Sequence, residues 1–258
     1  MEDYMELIGN SGVLITYAGA RILIDGIFTG GQYFSQLPRE MKKAVFGMES
    51  VYRDIEYFLF THRHLDHFSL EYMKEYLHHN QVKAVFMPQV QNKKWDKLEP
   101  RREMEEHFFD VVTVYEGEFG EFTEIQLQEL CKVRFYRSRH LGGADYAGTV
   151  HYMIELILHN QSYLFTADAD VKEDNFAQLI SKKRIKTVFV NPLFFQNPKG
   201  RRLLEKLYPK QVVIYHMPFA EDDQFFLRKI AQESVEKFQT NAYEAVLFSE
   251  PKQRLGMN

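Results

Sequence analysis

The densest chemistry in the sequence lies in Phe58-Leu-Phe-Thr-His62-Arg-His64-Leu-Asp66-His67-Phe-Ser69, where an apolar strand pattern breaks into three imidazoles and a carboxylate within six residues. Residues two apart in extended or turning backbone project to one side. His62 and His64 can therefore grip one cation, while Asp66 and His67, past the turn, reach a second beside it. A solvated polar loop has no need to concentrate four potential ligands directly after an apolar strand. Cys131 is the only cysteine in the chain, which excludes disulfide frameworks and cysteine-rich zinc modules and leaves histidine and carboxylate to hold any metal.

Such ligands need strand ends to carry them, and the surrounding pattern supplies these. Val13 to Tyr17 and Ala20 to Asp25 read as a hairpin around Ala18-Gly19. Further β-branched or aromatic runs predict strands at 57–60, 83–87, 111–115, 133–136, 149–158, 162–166, 187–190, 211–215 and 245–248. Leu70, Met73 and Leu77 recur at helical spacing behind Ser69, which is suited to cap a helix over 69–78. Helices are also expected over 174–180, 200–207 and 221–238, the last opening on Glu221, Asp222 and Asp223 at its positive end. Strands with interspersed helices make this an α/β or α+β protein. No Pro/Ser/Gly-rich linker, low-complexity tract or fixed-period repeat divides it, so residues 1–258 are expected to form a single domain.

Composition narrows the partners. The 258 residues are 45% apolar and 26% charged, in the range of globular proteins able to bury a sizeable core. Lys plus Arg number 32 against 36 Asp plus Glu, a net charge of −4 that argues against nucleic acid as the default partner. The basic run Lys182-Lys183-Arg184 reads as a solvated turn. There is no 18-residue apolar run, and the N-terminus lacks a basic segment followed by an apolar core, so no membrane association and a cytoplasmic location are expected. A 15% aromatic content is compatible with a homo-oligomer, although most of these rings must be core.

Thr61-His62-Arg63-His64-Leu65-Asp66-His67 resembles the His-x-His-x-Asp-His signature of the metallo-β-lactamase-fold superfamily, with every ligand position filled. The resemblance implies three more ligands at later strand ends, and each has a candidate. They are His140 in Arg-Ser-Arg-His-Leu-Gly-Gly, Asp168 in Tyr-Leu-Phe-Thr-Ala-Asp, and His216 in Val-Ile-Tyr-His-Met-Pro. The family's pattern carries Gly before that Asp, where this chain carries Ala167. By the same resemblance the fold is a four-layer αββα sandwich. His62, His64 and His140 would bind one metal, Asp66, His67 and His216 the other, and Asp168 would bridge them. Asp25, at the end of the second strand, would orient a ligand imidazole. His78, His79, His107, His151 and His159 are left over and read as ordinary surface or strand residues.

Two divalent cations sharing a water lower its pKa and present hydroxide beside a polarised carbonyl or phosphoryl group. The resemblance therefore implies a metal-dependent hydrolase of a small, anionic ester, lactone or phosphodiester, with Asp66 orienting the hydroxide and passing its proton on. Zinc suits the all-His/Asp ligand set best, with manganese or iron admitted by the carboxylates. His67-Phe68-Ser69, with no glycine after the histidine, resembles the branch that includes L-ascorbate-6-phosphate lactonase. In the loop after Val190, Asn191, Lys199 and Arg201 are candidates for contacting the substrate. The alternatives on this scaffold are a diiron oxygen-binding or redox protein and a nuclease. Cys131 is expected to be a small buried apolar residue with no part in the chemistry.

Overall fold

A computed structural model of the chain describes residues 2–31, 33–47, 51–89, 111–181 and 185–257. His107 and the run Lys182-Lys183-Arg184 lie outside them. The protein is a mixed α/β chain that divides into two compact units, Met1–Tyr115 with Glu250–Asn258, and Glu116–Ser249.

The first unit is built on a seven-stranded sheet. Its strands are β1 (Tyr4–Leu7), β2 (Val13–Tyr17), β3 (Ala20–Ile24), β4 (Tyr57–Leu59), β5 (Ala84–Pro88), β6 (Val112–Tyr115) and a final strand, Arg254–Gly256, beside β1. Pairing is antiparallel from the final strand through β3 and parallel from β3 to β6. Ala18 and Gly19 both take positive φ, 48° and 85°, the two-residue turn that matches strand twist and sets Tyr17 opposite Ala20. Helices α1 (Arg39–Phe46) and α2 (Leu70–His79) turn Met41, Val45, Met73 and Tyr76 into a core with Leu14, Leu23, Phe58 and Val85. Ser69 caps α2, its hydroxyl accepting from the Tyr72 amide at 3.3 Å.

The first and last strands are locked by charge as well as by pairing. Glu6 is 1% exposed; Arg254 donates to its carboxylate at 2.5 Å, and the Tyr52 hydroxyl donates to the other oxygen.

The second unit repeats the plan. Strands β7 (Phe122–Gln128), β8 (Cys131–Ser138), β9 (His151–Leu158), β10 (Gln161–Phe165), β11 (Ile185–Val190), β12 (Gln211–Ile214) and β13 (Glu244–Leu247) lie side by side in sequence order. They are antiparallel as far as β10 and parallel thereafter. The strand expected over 149–158 starts at His151, and the helix expected from Glu221 starts at Leu227. The later start has a local cause: both Asp223 oxygens accept backbone amides, from Leu227 at 2.8 Å and Arg228 at 2.9 Å, so Asp223 closes the turn before the helix. The Pro198–Leu207 helix begins two residues before the expected Gly200, with Asn197 capping it and proline at its first position.

Candidate metal centre

Every candidate ligand sits just past a strand, the position where open α/β sheets place their chemistry. In the first unit, residues 61–69 leave β4 and run to the cap of α2. Within that turn the amides of His67 and Phe68 bond the His64 carbonyl, and the Ser69 amide bonds that of Ile27. Ser11 Oγ donates to the Asp66 carbonyl at 2.7 Å, pinning the backbone that carries the carboxylate.

Asp25 organises this half. It is fully buried, has φ of 52°, and accepts three bonds of 2.9 Å: from the Thr61 amide, the Thr61 hydroxyl and His67 Nδ1. These bonds assign the tautomers. His67 spends its Nδ1 proton on Asp25 and turns a lone pair at Nε2, 3.7 Å from Asp66 Oδ2. The Thr61 hydroxyl, whose proton goes to Asp25, accepts from His62 Nδ1 at 3.1 Å, which leaves a lone pair at His62 Nε2, 3.0 Å from His64 Nδ1. One carboxylate thus sets two imidazoles, one directly and one through Thr61.

In the second unit Asp168 stands between two histidines. Its Oδ2 lies 3.5 Å from His140 Nε2 and its Oδ1 lies 3.3 Å from His216 Nε2. His140 donates its other ring proton to the Leu141 carbonyl at 2.6 Å, which directs Nε2 to the carboxylate. The loops carrying these groups are stitched together: the Leu141 amide bonds the Asp168 carbonyl and the Asp170 amide bonds the Arg139 carbonyl. The Tyr146 ring lies over His140, centroids 4.8 Å apart, in space that Gly142 leaves open, since a Cβ there would stand 2.5 Å from Tyr146 Cδ2.

The donor chemistry fits divalent cations. Two ligands each about 2.0–2.1 Å from a tetrahedral ion stand about 3.3 Å apart. The separations of 3.0 and 3.7 Å in the first unit, and of 3.5 and 3.3 Å in the second, bracket that spacing. The groups are imidazoles, three of them with an assigned lone pair at Nε2, and carboxylates that are 8% exposed, a set that suits a metal and carries no nucleophile of its own.

The three candidates for substrate contact all follow β11. Asn191 is buried: its Oδ1 accepts from the Phe194 amide at the start of the Pro192–Gln196 helix, and its Nδ2 donates to the Ala167 carbonyl at 2.9 Å. Arg201 donates to the Phe195 and Gln196 carbonyls and lies 3.5 Å above the Phe238 ring. Lys199 is exposed and lines a pocket of about 490 Å³ with Asp170, Lys172, Glu173, Asp174 and Arg202. His78, His79 and His159 are exposed, but His151 is wholly buried behind Asp168. Thr61, His151 and Tyr146 are site neighbours that sequence reasoning passed over; only Thr61, inside the motif, had a signal. Cys131 is buried, which pushes its thiol up to about 12 and keeps it protonated.

Solved structures share this fold. CmlA, a diiron β-hydroxylase from Streptomyces venezuelae, is similar with a TM-score of 0.61 and 16% identity, over 99% of this chain and 54% of CmlA. The chain thus spans about half of that protein's length. Igni18, a novel metallo hydrolase from the hyperthermophilic archaeon Ignicoccus hospitalis KIN4/I, gives 0.63 at 14% identity, over 100% of this chain and 99% of its own. YhfI, a metallo-β-lactamase fold protein from Bacillus subtilis, gives 0.60 at 12% identity, covering 99% and 100%. The fold is that of the metallo-β-lactamases and metal-dependent hydrolases. No curated protein matches the sequence. The profile of the family described as Anti-Pycsar protein Apyc1 matches residues 7–201, most of the chain, and the protein belongs to that family.

Proposed function

We propose that the protein is a dinuclear metallohydrolase of small anionic esters, lactones or phosphodiesters, acting in the anti-Pycsar role that its family's description carries. In this reading His62, His64 and His140 would hold one cation, Asp66, His67 and His216 the other, and Asp168 would be shared between them. The observation that carries it is Asp168, whose two oxygens each face a different histidine Nε2, as a bridging carboxylate requires. Zinc is the proposed metal, with manganese next. Bound there, such a pair supplies Lewis acidity and an activated water.

The chain's own residues do the rest. Asp25 and Thr61 hold His62 and His67 in the tautomers that present Nε2. Asp66, its backbone pinned by Ser11, orients the attacking water through its carboxylate and takes up the proton that the leaving group then needs. The hydrolytic step asks for no side-chain nucleophile, in keeping with the protonated thiol of Cys131.

The experiment is elemental analysis of protein purified without chelator, followed by turnover of bis(p-nitrophenyl) phosphate, p-nitrophenyl acetate and a γ-lactone by wild type and Asp66→Asn. Two equivalents of zinc or manganese are expected, with turnover lost by at least a hundredfold in the folded variant. Retained turnover in Asp66→Asn, or no metal in folded, metal-supplemented protein, refutes the proposal. A second reading, a diiron redox protein, is favoured by the likeness to the diiron β-hydroxylase CmlA; two equivalents of iron and oxygen consumption would select it.

A further inference from the structure

The peptide joining Ala167 to Asp168 is held at both of its polar atoms by buried side chains. Asn191 Nδ2 donates to the Ala167 carbonyl at 2.9 Å, and the Asp168 amide donates to His151 Nε2 at 3.2 Å. His151 in turn donates its Nδ1 proton to Ser138 Oγ at 2.7 Å, which fixes Nε2 as the acceptor. His151 and Ser138 are wholly buried and Asn191 is 4% exposed.

That peptide needs holding. Ala167 has φ of 45°, the left-handed region that glycine enters freely and an L-residue with a Cβ resists. An outlier of this kind persists only where its surroundings over-determine it. Here it sits one residue before the carboxylate whose oxygens face His140 and His216. If Ala167 relaxed to negative φ, the Asp168 side chain would swing away from both imidazoles.

We propose that His151 and Asn191 are positioning residues that clamp the 167–168 peptide, hold Ala167 in its left-handed turn and so aim Asp168 at two metal positions. In this chain the pair does what a glycine at 167 would do by conformational freedom alone. The inference deepens the metal reading above and rests on it for its consequence, though the clamp itself is a property of the backbone.

The test uses Asn191→Ser, which keeps a capping oxygen for the Phe194 amide but is too short to reach Ala167, and His151→Leu, each with and without Ala167→Gly. Two readouts are taken: Co²⁺ stoichiometry and affinity by chelator competition and visible absorption, and hydrogen exchange of the Asp168 amide in metal-free protein. Each single variant is expected to bind Co²⁺ about 10- to 100-fold more weakly. Ala167→Gly should recover at least tenfold of that loss. His151→Leu should also speed Asp168 exchange by at least tenfold without metal. Folded variants with wild-type cobalt affinity and exchange, or a loss that Ala167→Gly leaves untouched, overturn the clamp. Wild type that binds no cobalt, together with accelerated exchange in His151→Leu, overturns the metal reading and leaves the clamp standing.

Discussion

Replacing Asp25 by asparagine changes one oxygen for an NH₂ group at a point where nothing but donors arrive. The carboxylate accepts three bonds of 2.9 Å and is fully buried. An amide nitrogen at the Oδ1 position opposes the Thr61 amide proton; at the Oδ2 position it opposes the Thr61 hydroxyl and His67 Nδ1. In the second orientation the hydroxyl can turn and His67 can move its proton to Nε2, but both changes remove lone pairs meant for a metal. Hydrogen bonds to a charged group contribute about 1.5–3 kcal/mol each, so spoiling one or two, with partial relaxation, should lower the stability of metal-free protein by about 3 kcal/mol. Metal affinity should fall a further 10- to 100-fold, about 1.4–2.7 kcal/mol, as the imidazole loses its orienting partner. Urea unfolding of the chelated protein gives the first quantity, and competition with a metallochromic chelator the second. An Asp25→Asn protein that unfolds within 0.5 kcal/mol of wild type and holds metal equally well would refute the tautomer argument.

Two other outcomes follow from local geometry. Burial pushes the Cys131 thiol from its ordinary value of 9.0 up to about 12, so its share of stability is complete below pH 9 and is lost as pH rises toward 12, by up to about 1.4 kcal/mol per pH unit; urea unfolding of Cys131→Val at several pH values should show a slope flatter by that amount. Gly142 has φ of 92° and leaves room for Tyr146, so Gly142→Ala should cost about 1–2 kcal/mol from backbone strain alone, and a double-mutant cycle with Tyr146→Ala should recover whatever part belongs to the Cβ clash.

What was legible in the sequence was chemistry placed at the ends of strong patterns. Residues 62–67 and the three later ligand candidates each follow a run rich in aromatic or β-branched residues, and those runs form β4, β8, β10 and β12. Illegible features depend on partners distant in sequence. β1, Tyr-Met-Glu-Leu, shows a charged residue where a buried strand should be apolar; Glu6 is tolerated there because Arg254, 248 residues later, neutralises it. His151 opens a strand with nothing around it to mark a role, and its function exists only because β9 lies beside β8 and behind Asp168. Asn191 and Arg201 carry side chains apt for binding anions; Arg201 donates to backbone of its own unit, and Asn191 shares its amide between the Ala167 carbonyl and, at 3.5 Å, Asp168 Oδ1.

The pairing of β1 with Arg254–Gly256 makes the first unit discontinuous in the chain while the second is continuous. On the ribosome this imposes an order. The second unit can complete its sheet as soon as β13 has emerged, whereas the first keeps an open edge at β1 and an unneutralised Glu6 until the last strand is made. Closing so long a loop late is also the step most exposed to competing strand addition at that edge. The Glu6–Arg254 contact thus marks the point at which β1 is covered, leaving the three-residue strand Arg254–Gly256, a short and charged one, as the edge on that side of the first sheet.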